Sequence, residues 1–260
     1  MDYWIFKLAS ILLIFVVGYQ GGIAAIRVSR SPRADHFFAL GSVFGAGVFL
    51  GASLIHVLPD AASNFAAALP SMEYPLPFMI AAAGFILIMF VDRAGHYFLE
   101  RQNQVNVEGP SSALAPYILL LVLSFHSIIA GASLGAERTM TGSIVLFVAI
   151  FAHKGSAAFA LGISLVRSPT LKAKTRKLII LFSIMTPLGV MIGAGINHFL
   201  EDRAGQIIEG VFDALASATF IYVATIEIIG PEFKGHKKLF SKFAFLIAGL
   251  ATMALVAIWL

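Results

Sequence analysis

An all-α integral membrane protein, in outline a bundle of eight transmembrane helices, is the fold class this sequence predicts. Three observations predict the bundle. Of 260 residues, 59% are hydrophobic and 12% charged, a balance that cannot be arranged as a soluble core inside a wetted surface. The apolar residues gather into eight stretches, each near the roughly 20 residues a helix needs to cross about 30 Å of hydrocarbon. The stretches lack the alternating pattern of a membrane barrel, and open strands would leave backbone groups unsatisfied in lipid.

The eight helices are predicted over about 4–26, 37–58, 77–99, 114–135, 141–166, 178–199, 207–229 and 239–259, a single transmembrane domain over 1–260. Helix one begins almost at Met1 without a basic leader or a small-residue cleavage pattern, and so reads as a retained helix; it stops at the segment holding Arg27, Arg30, Pro32 and Arg33. Helix two, with GAGVFLGASLIHVLPDA, is expected to end near Pro59, and helix three gives way to the polar run Gln102 to Ser112. The loop 100–113 is the one long enough to be mobile. Helices four and five are separated by a short turn, and basic residues from Ser168 to Lys177 lead into helix six. Helix six carries Pro187 in its interior, where proline frees the carbonyl four residues back. Helices seven and eight flank a loop with Lys234, Lys237 and Lys238.

Fourteen of the 18 Lys and Arg residues fall at the ends of helices joined by the loops after helices one, three, five and seven. The positive-inside rule then places both termini outside the cytoplasm. The outer side holds Asp2, Asp60, Glu73, Glu137, Glu201 and Asp202, an acidity that would concentrate cations near an entrance and is also the ordinary counterpart of the charge bias. The basic loops thus read as topology against a lipid bilayer, with no nucleic-acid partner implied. There are no cysteines, so a transition metal here must use imidazole, carboxylate, hydroxyl, carbonyl or water.

Ionisable side chains at membrane depth are costly and point to an ion or substrate site. His126 in LVLSFHSIIAGASLG and His153 in IVLFVAIFAHKGSAAFALG sit on consecutive antiparallel helices at similar depth, beside small residues. One histidine on an apolar helix is commonly a hydrogen-bonded core residue; two in this relation favour the ligand reading. Two imidazoles suit zinc, copper, nickel or iron and fit magnesium or calcium poorly. His56 and Asp60 are four apart and share a helical face, placing them on a pathway or at a solvated helix end. Asp213 and Glu227 lie toward the two ends of helix seven; Glu227 reads either as an exit-side carboxylate or as an interfacial acid. His36, His96, His198 and His236 lie near helix ends and read as interfacial.

The motifs HSxxxGxxLG in helix four, HKGxxAFxLG in helix five, LIHVLPDA in helix two, TPLG in helix six and TFIYVATIEII in helix seven resemble the ZIP (Zrt/Irt-like protein) family of divalent metal transporters. The resemblance spans essentially the whole chain and is closest to the subfamily whose helix-five motif begins His-Lys. It implies no enzyme and no resident cofactor. What it does imply is movement of Zn²⁺ or a related divalent metal toward the cytoplasm, through a site between helices four and five. The implied motion is an elevator in which helices one, four, five and six pass a scaffold of two, three, seven and eight. The family's ligand positions map onto His126, Ser127 and Ala130, onto His153 or Lys154 and Ala157, and onto Thr186. A homodimer is also implied. The absence of a histidine-rich loop and of a cleavable leader suits a bacterial inner membrane.

The chain departs from the family where a carboxylate is expected one turn after each histidine, since these are Ala130 and Ala157. Lys154 supplies a positive charge where a second metal would sit, so one weakly held ion is expected. Two other readings remain open from the sequence. One is a ZIP-fold protein with altered or lost metal transport. The other is an intramembrane metal-dependent hydrolase using His56, His126, His153, Ser127 and an aspartate, although such a site needs three protein ligands and an open position and no HExxH pair is present.

Overall fold

The computed structural model describes residues 3–103, 115–137, 139–168, 171–195, 203–234 and 238–258, all in helices or the turns between them. Eight of its helices are long and apolar enough to cross a membrane. In chain order these are α1 Tyr3–Val28, α2 Ala34–Ala68, α3 Leu76–Asn103, α4 Ala115–Ala136, α5 Met140–Arg167, α6 Thr175–Gly195 after a short 3₁₀ turn at Lys172–Lys174, α7 Arg203–Glu232 and α8 Leu239–Val256. Large apolar side chains such as Trp4, Leu12, Phe90, Leu121 and Met191 face outward, as lipid-facing positions must. Most of the expected loop at 100–113, the end of helix six beyond Gly195, the last residue of helix eight, His198 and His236 lie outside the described residues.

Helix two departs from its expected end. It runs past Pro59 to Ala68 because its backbone widens into a π-helical segment at Ala52–Val57. Proline lacks an N–H and its ring crowds the carbonyl four residues back, here Ile55. The wider π turn moves that carbonyl aside, and such turns are frequent at functional sites. Helix α7 repeats the device at Val223–Ile229, before Pro231. Pro187 sits within α6 without such a segment.

The most extensive contacts are α4 with α6, α1 with α5, α2 with α8, α2 with α7, α3 with α7 and α1 with α6. Two groups emerge, α1–α4–α5–α6 and α2–α3–α7–α8. Small residues permit the close approach within them. A Cβ on Gly131 would stand 2.3 Å from the Thr186 carbonyl oxygen, and one on Gly189 only 2.1 Å from that of Ile128, so α4 and α6 touch backbone to backbone. Gly47 of α2 meets Leu246 of α8 in the same way. The bundle has a basic end, where Arg167 and Lys242 pair with Glu232 at 3.7 and 3.1 Å. At the opposite end the buried Lys7 of α1 donates to the carbonyls of Gly135 and Glu137, closing the C-terminus of α4.

Candidate metal site

A cavity of about 680 Å³ opens at this second end, between the two helix groups. Its mouth is formed by Ser63 and Asn64 of α2, Glu137 and Gly142 at the α4–α5 turn, and Glu209 of α7. Asp60 and Asp213 follow, and His56, His126 and His153 lie deepest in sequence from the mouth along their helices. His126 and His153 are 7% and 3% exposed. They come from α4 and α5, which run in opposite directions and place both rings at one depth.

The two Nε2 atoms are 3.4 Å apart. A zinc ion bound to imidazole at about 2.0–2.1 Å in tetrahedral geometry separates neighbouring donor nitrogens by about 3.3–3.4 Å, so the pair already has the span of one tetrahedral edge. His126 Nδ1 is buried without a hydrogen-bond partner, and His153 Nδ1 faces the Ala149 carbonyl one turn back without a hydrogen bond of normal geometry. Buried polar atoms in a purely structural role are usually satisfied. His56 stands within electrostatic reach of both rings, and its Nδ1 is 2.9 Å from Asp60, as their i,i+4 spacing requires. No group of three or more His, Asp or Glu side chains converges closely enough to hold a metal among the described residues. The arrangement therefore offers a metal two imidazoles, with the remaining positions open to the cavity.

Beneath the histidines lies Phe220 of α7. Its ring centroid is 4.4 Å from that of His126 and 6.2 Å from that of His153, both edge-on, and it stacks on Phe49 of α2 at 5.2 Å. Both phenyl groups are completely buried. Along α7 and α2 this apolar pair lies about two turns beyond Asp213 and His56, toward the basic end of the bundle.

Lys154, 2% exposed, does not line the cavity. Its ammonium turns into the α1–α4–α5–α6 group, donating to Ser127 Oγ at 2.9 Å and to the Phe182 carbonyl at 3.3 Å, and lies 3.7 Å from the Phe182 ring centroid. The Ser127 hydroxyl is thus occupied as an acceptor. A cation–π contact and two acceptors offset part of the cost of burying a charge.

The structure thus brings His56, Asp60, Ala130, His126 and His153 to one cavity. Ala157 instead packs in the main core, and Thr186 is buried against α4 with its hydroxyl lacking a hydrogen bond. Glu227 lies off the cavity, in the π-helical segment of α7, near Tyr222, Asp92 and Arg93. Sequence reasoning missed the mouth residue Glu209, whose Oε1 accepts a 2.8 Å hydrogen bond from Ser133 across the two groups. Its i,i+4 spacing to Asp213 was the available signal. The floor residue Phe220 carried no such signal, being one aromatic among many.

The sequence matches the family described as ZIP Zinc transporter over residues 3–116 and 103–257. It is similar to zinc transporter 11 of Arabidopsis thaliana, 30% identical with 97% of this chain and 85% of that protein covered. It is 28% identical to human zinc transporter ZIP1, covering 95% and 89% of the two chains. With human zinc transporter ZIP2 the identity is 27%, covering 82% and 83%.

Proposed function

The chain belongs to the ZIP family of zinc transporters, and from that premise we propose that it carries one divalent metal ion at a time, zinc foremost, toward the cytoplasm between α4 and α5. The observation that carries the reading is the pair of imidazole nitrogens 3.4 Å apart in a cavity whose mouth and walls hold Asp60, Glu137, Glu209 and Asp213. Acidic walls raise the local concentration of cations and speed their capture. Two neutral ligands hold zinc without neutralising it, which favours release. His126 and His153 are the ligands. Ser127 joins them when Lys154 releases its hydroxyl, and His56 with Asp60 hands the ion inward from the mouth.

An elevator accounts for the passage. The closest helix contacts lie within α1–α4–α5–α6 and within α2–α3–α7–α8, so each group has the internal packing of a rigid body. Both histidines belong to the first group and the Phe49–Phe220 stack to the second. Sliding the first group toward the basic end carries the ion past a fixed apolar barrier. In this reading the basic end faces the cytoplasm, both termini lie outside it, and Glu227 lies on the exit side of the barrier. Lys154, the second residue of the His-Lys pair, puts a positive charge beside the histidines and supports a single ion and a kinship with the His-Lys subfamily. A bacterial inner membrane is the setting, and a homodimer would show in the mass of the purified protein in detergent.

Zinc entry into liposomes containing an indicator dye tests the proposal. Wild-type protein should give saturable entry, and His126→Ala and His153→Ala should each reduce it at least tenfold. Undiminished entry in both variants would overturn the site.

A further inference from the structure

At the basic end a second, shallower groove of about 440 Å³ is lined by Pro32, Arg33, Asp35, His36 and Lys238. It lies where α2 and α8 begin side by side, since these helices run parallel and pack closely along Gly47 and Gly249. Lys238 Nζ is 2.9 Å from His36 Nδ1, so an ammonium and an imidazole are held in contact. Lys238 adopts φ 57°, and it is the one non-glycine residue with positive φ among those described. Lysine seldom takes that conformation.

The charge arrangement is the telling feature. Arg33 and Lys238 are the N-cap residues of α2 and α8, and neither helix start has a side-chain cap. A cation at a helix N-terminus opposes the helix dipole, which favours an anion there. One carboxylate, Asp35, shares the groove with these groups. By contrast the neighbouring cations Arg167 and Lys242 are paired with Glu232. The amides of Ala34 and His36 are used within the turn, so an incoming anion would be held by the Arg33, His36 and Lys238 side chains.

Apolar surface adjoins the groove. Phe37 follows His36 directly and Phe240 comes two residues after Lys238, and Phe240 is 87% exposed. A basic groove continuous with exposed aromatics at a helix end matches a lipid more closely than a free ion, because one part meets a phosphate and the other an acyl chain. We propose that this groove binds the phosphate of an anionic phospholipid in the leaflet facing the basic loops, fixing α2 and α8 in the membrane. The site is separate from the metal pathway and depends only on the chain spanning the bilayer.

Native mass spectrometry of the full-length protein in detergent, titrated with phosphatidylglycerol or phosphatidylcholine, tests it. Wild type should retain one phosphatidylglycerol in preference to phosphatidylcholine. At about 1 kcal/mol for each basic residue near a lipid surface, the double variant Arg33→Gln, Lys238→Gln should bind it roughly 30-fold more weakly, and Lys238→Arg alone should bind as wild type. A monodisperse elution profile would show that the double variant is folded; if it is not, Arg33→Gln alone should give about a fivefold loss. Equal retention of both lipids, or no loss in the folded variants, would overturn the proposal. Displacement of the lipid by inorganic phosphate at equal concentration would overturn the lipid assignment in favour of a free-anion site. Zinc transport is not the readout, so this result stands apart from the proposed metal site.

Discussion

Replacing Ala130 with glutamate should convert a weak two-imidazole site into a tighter one. Ala130 lies one helical turn beyond His126 and lines the same cavity, so the new carboxylate can reach an ion held between the histidines. At about 4 Å and an effective dielectric near 20, two unit charges attract by about 4 kcal/mol, and a divalent ion doubles this to about 8 kcal/mol. Desolvating the carboxylate costs several kcal/mol, and fixing its side chain costs about 2 kcal/mol. The difference is about 2 kcal/mol, or roughly 30-fold in affinity. Competition against a zinc-binding dye in detergent reads this directly. Ala157→Glu is the control, because Ala157 packs in the core and not on the cavity; zinc affinity should stay within about threefold while thermal stability falls, as expected for an acid buried there. An unchanged affinity in Ala130→Glu, or an equal gain in both variants, would refute the placement of the site.

Other substitutions separate the remaining parts of the account. Phe220→Ala removes the ring under both histidines and should cost about 3–5 kcal/mol of stability; zinc entry into liposomes should lose saturation as the barrier opens. Glu209→Gln removes a carboxylate from the cavity mouth. It should raise the KM for zinc severalfold at low ionic strength, with little change in maximal rate, and the difference should shrink in added salt. Lys154→Met removes a buried ammonium while keeping an unbranched side chain. It should tighten zinc binding severalfold in the dye assay, and a loss of binding would show that Lys154 organises the site through Ser127.

The all-helical class and the eight spanning helices were legible because hydropathy and chain length are set by the bilayer itself. The continuation of α2 past Pro59 was not legible. Pro59 reads as a stop in any one-dimensional pattern, and the π-helical turn at Ala52–Val57 that accommodates it comes from packing, including the 2.6 Å Ser53–Ser217 hydroxyl contact with α7. His126 and His153 stood out because imidazole is rare in lipid-length segments, and the alternation of helix direction was enough to pair them. The sequence also put Ala130 and Ala157 on equal terms, each one turn after a histidine. The packing separates them, since a one-turn step leads toward the cavity mouth on α4 and into the core on antiparallel α5. Lys154 was conspicuous as a charge, but its direction was unreadable: only the fold shows it turned to Ser127 and Phe182.

Zinc K-edge absorption spectroscopy of the zinc-loaded protein addresses the central claim, that one ion sits between His126 and His153. Wild type should bind one zinc with two imidazole nitrogens at about 2.0–2.1 Å and oxygen in the other positions, and the double variant His126→Ala, His153→Ala should lose that signal. Two imidazole ligands persisting in the double variant, or a wild-type site without imidazole, would contradict the account.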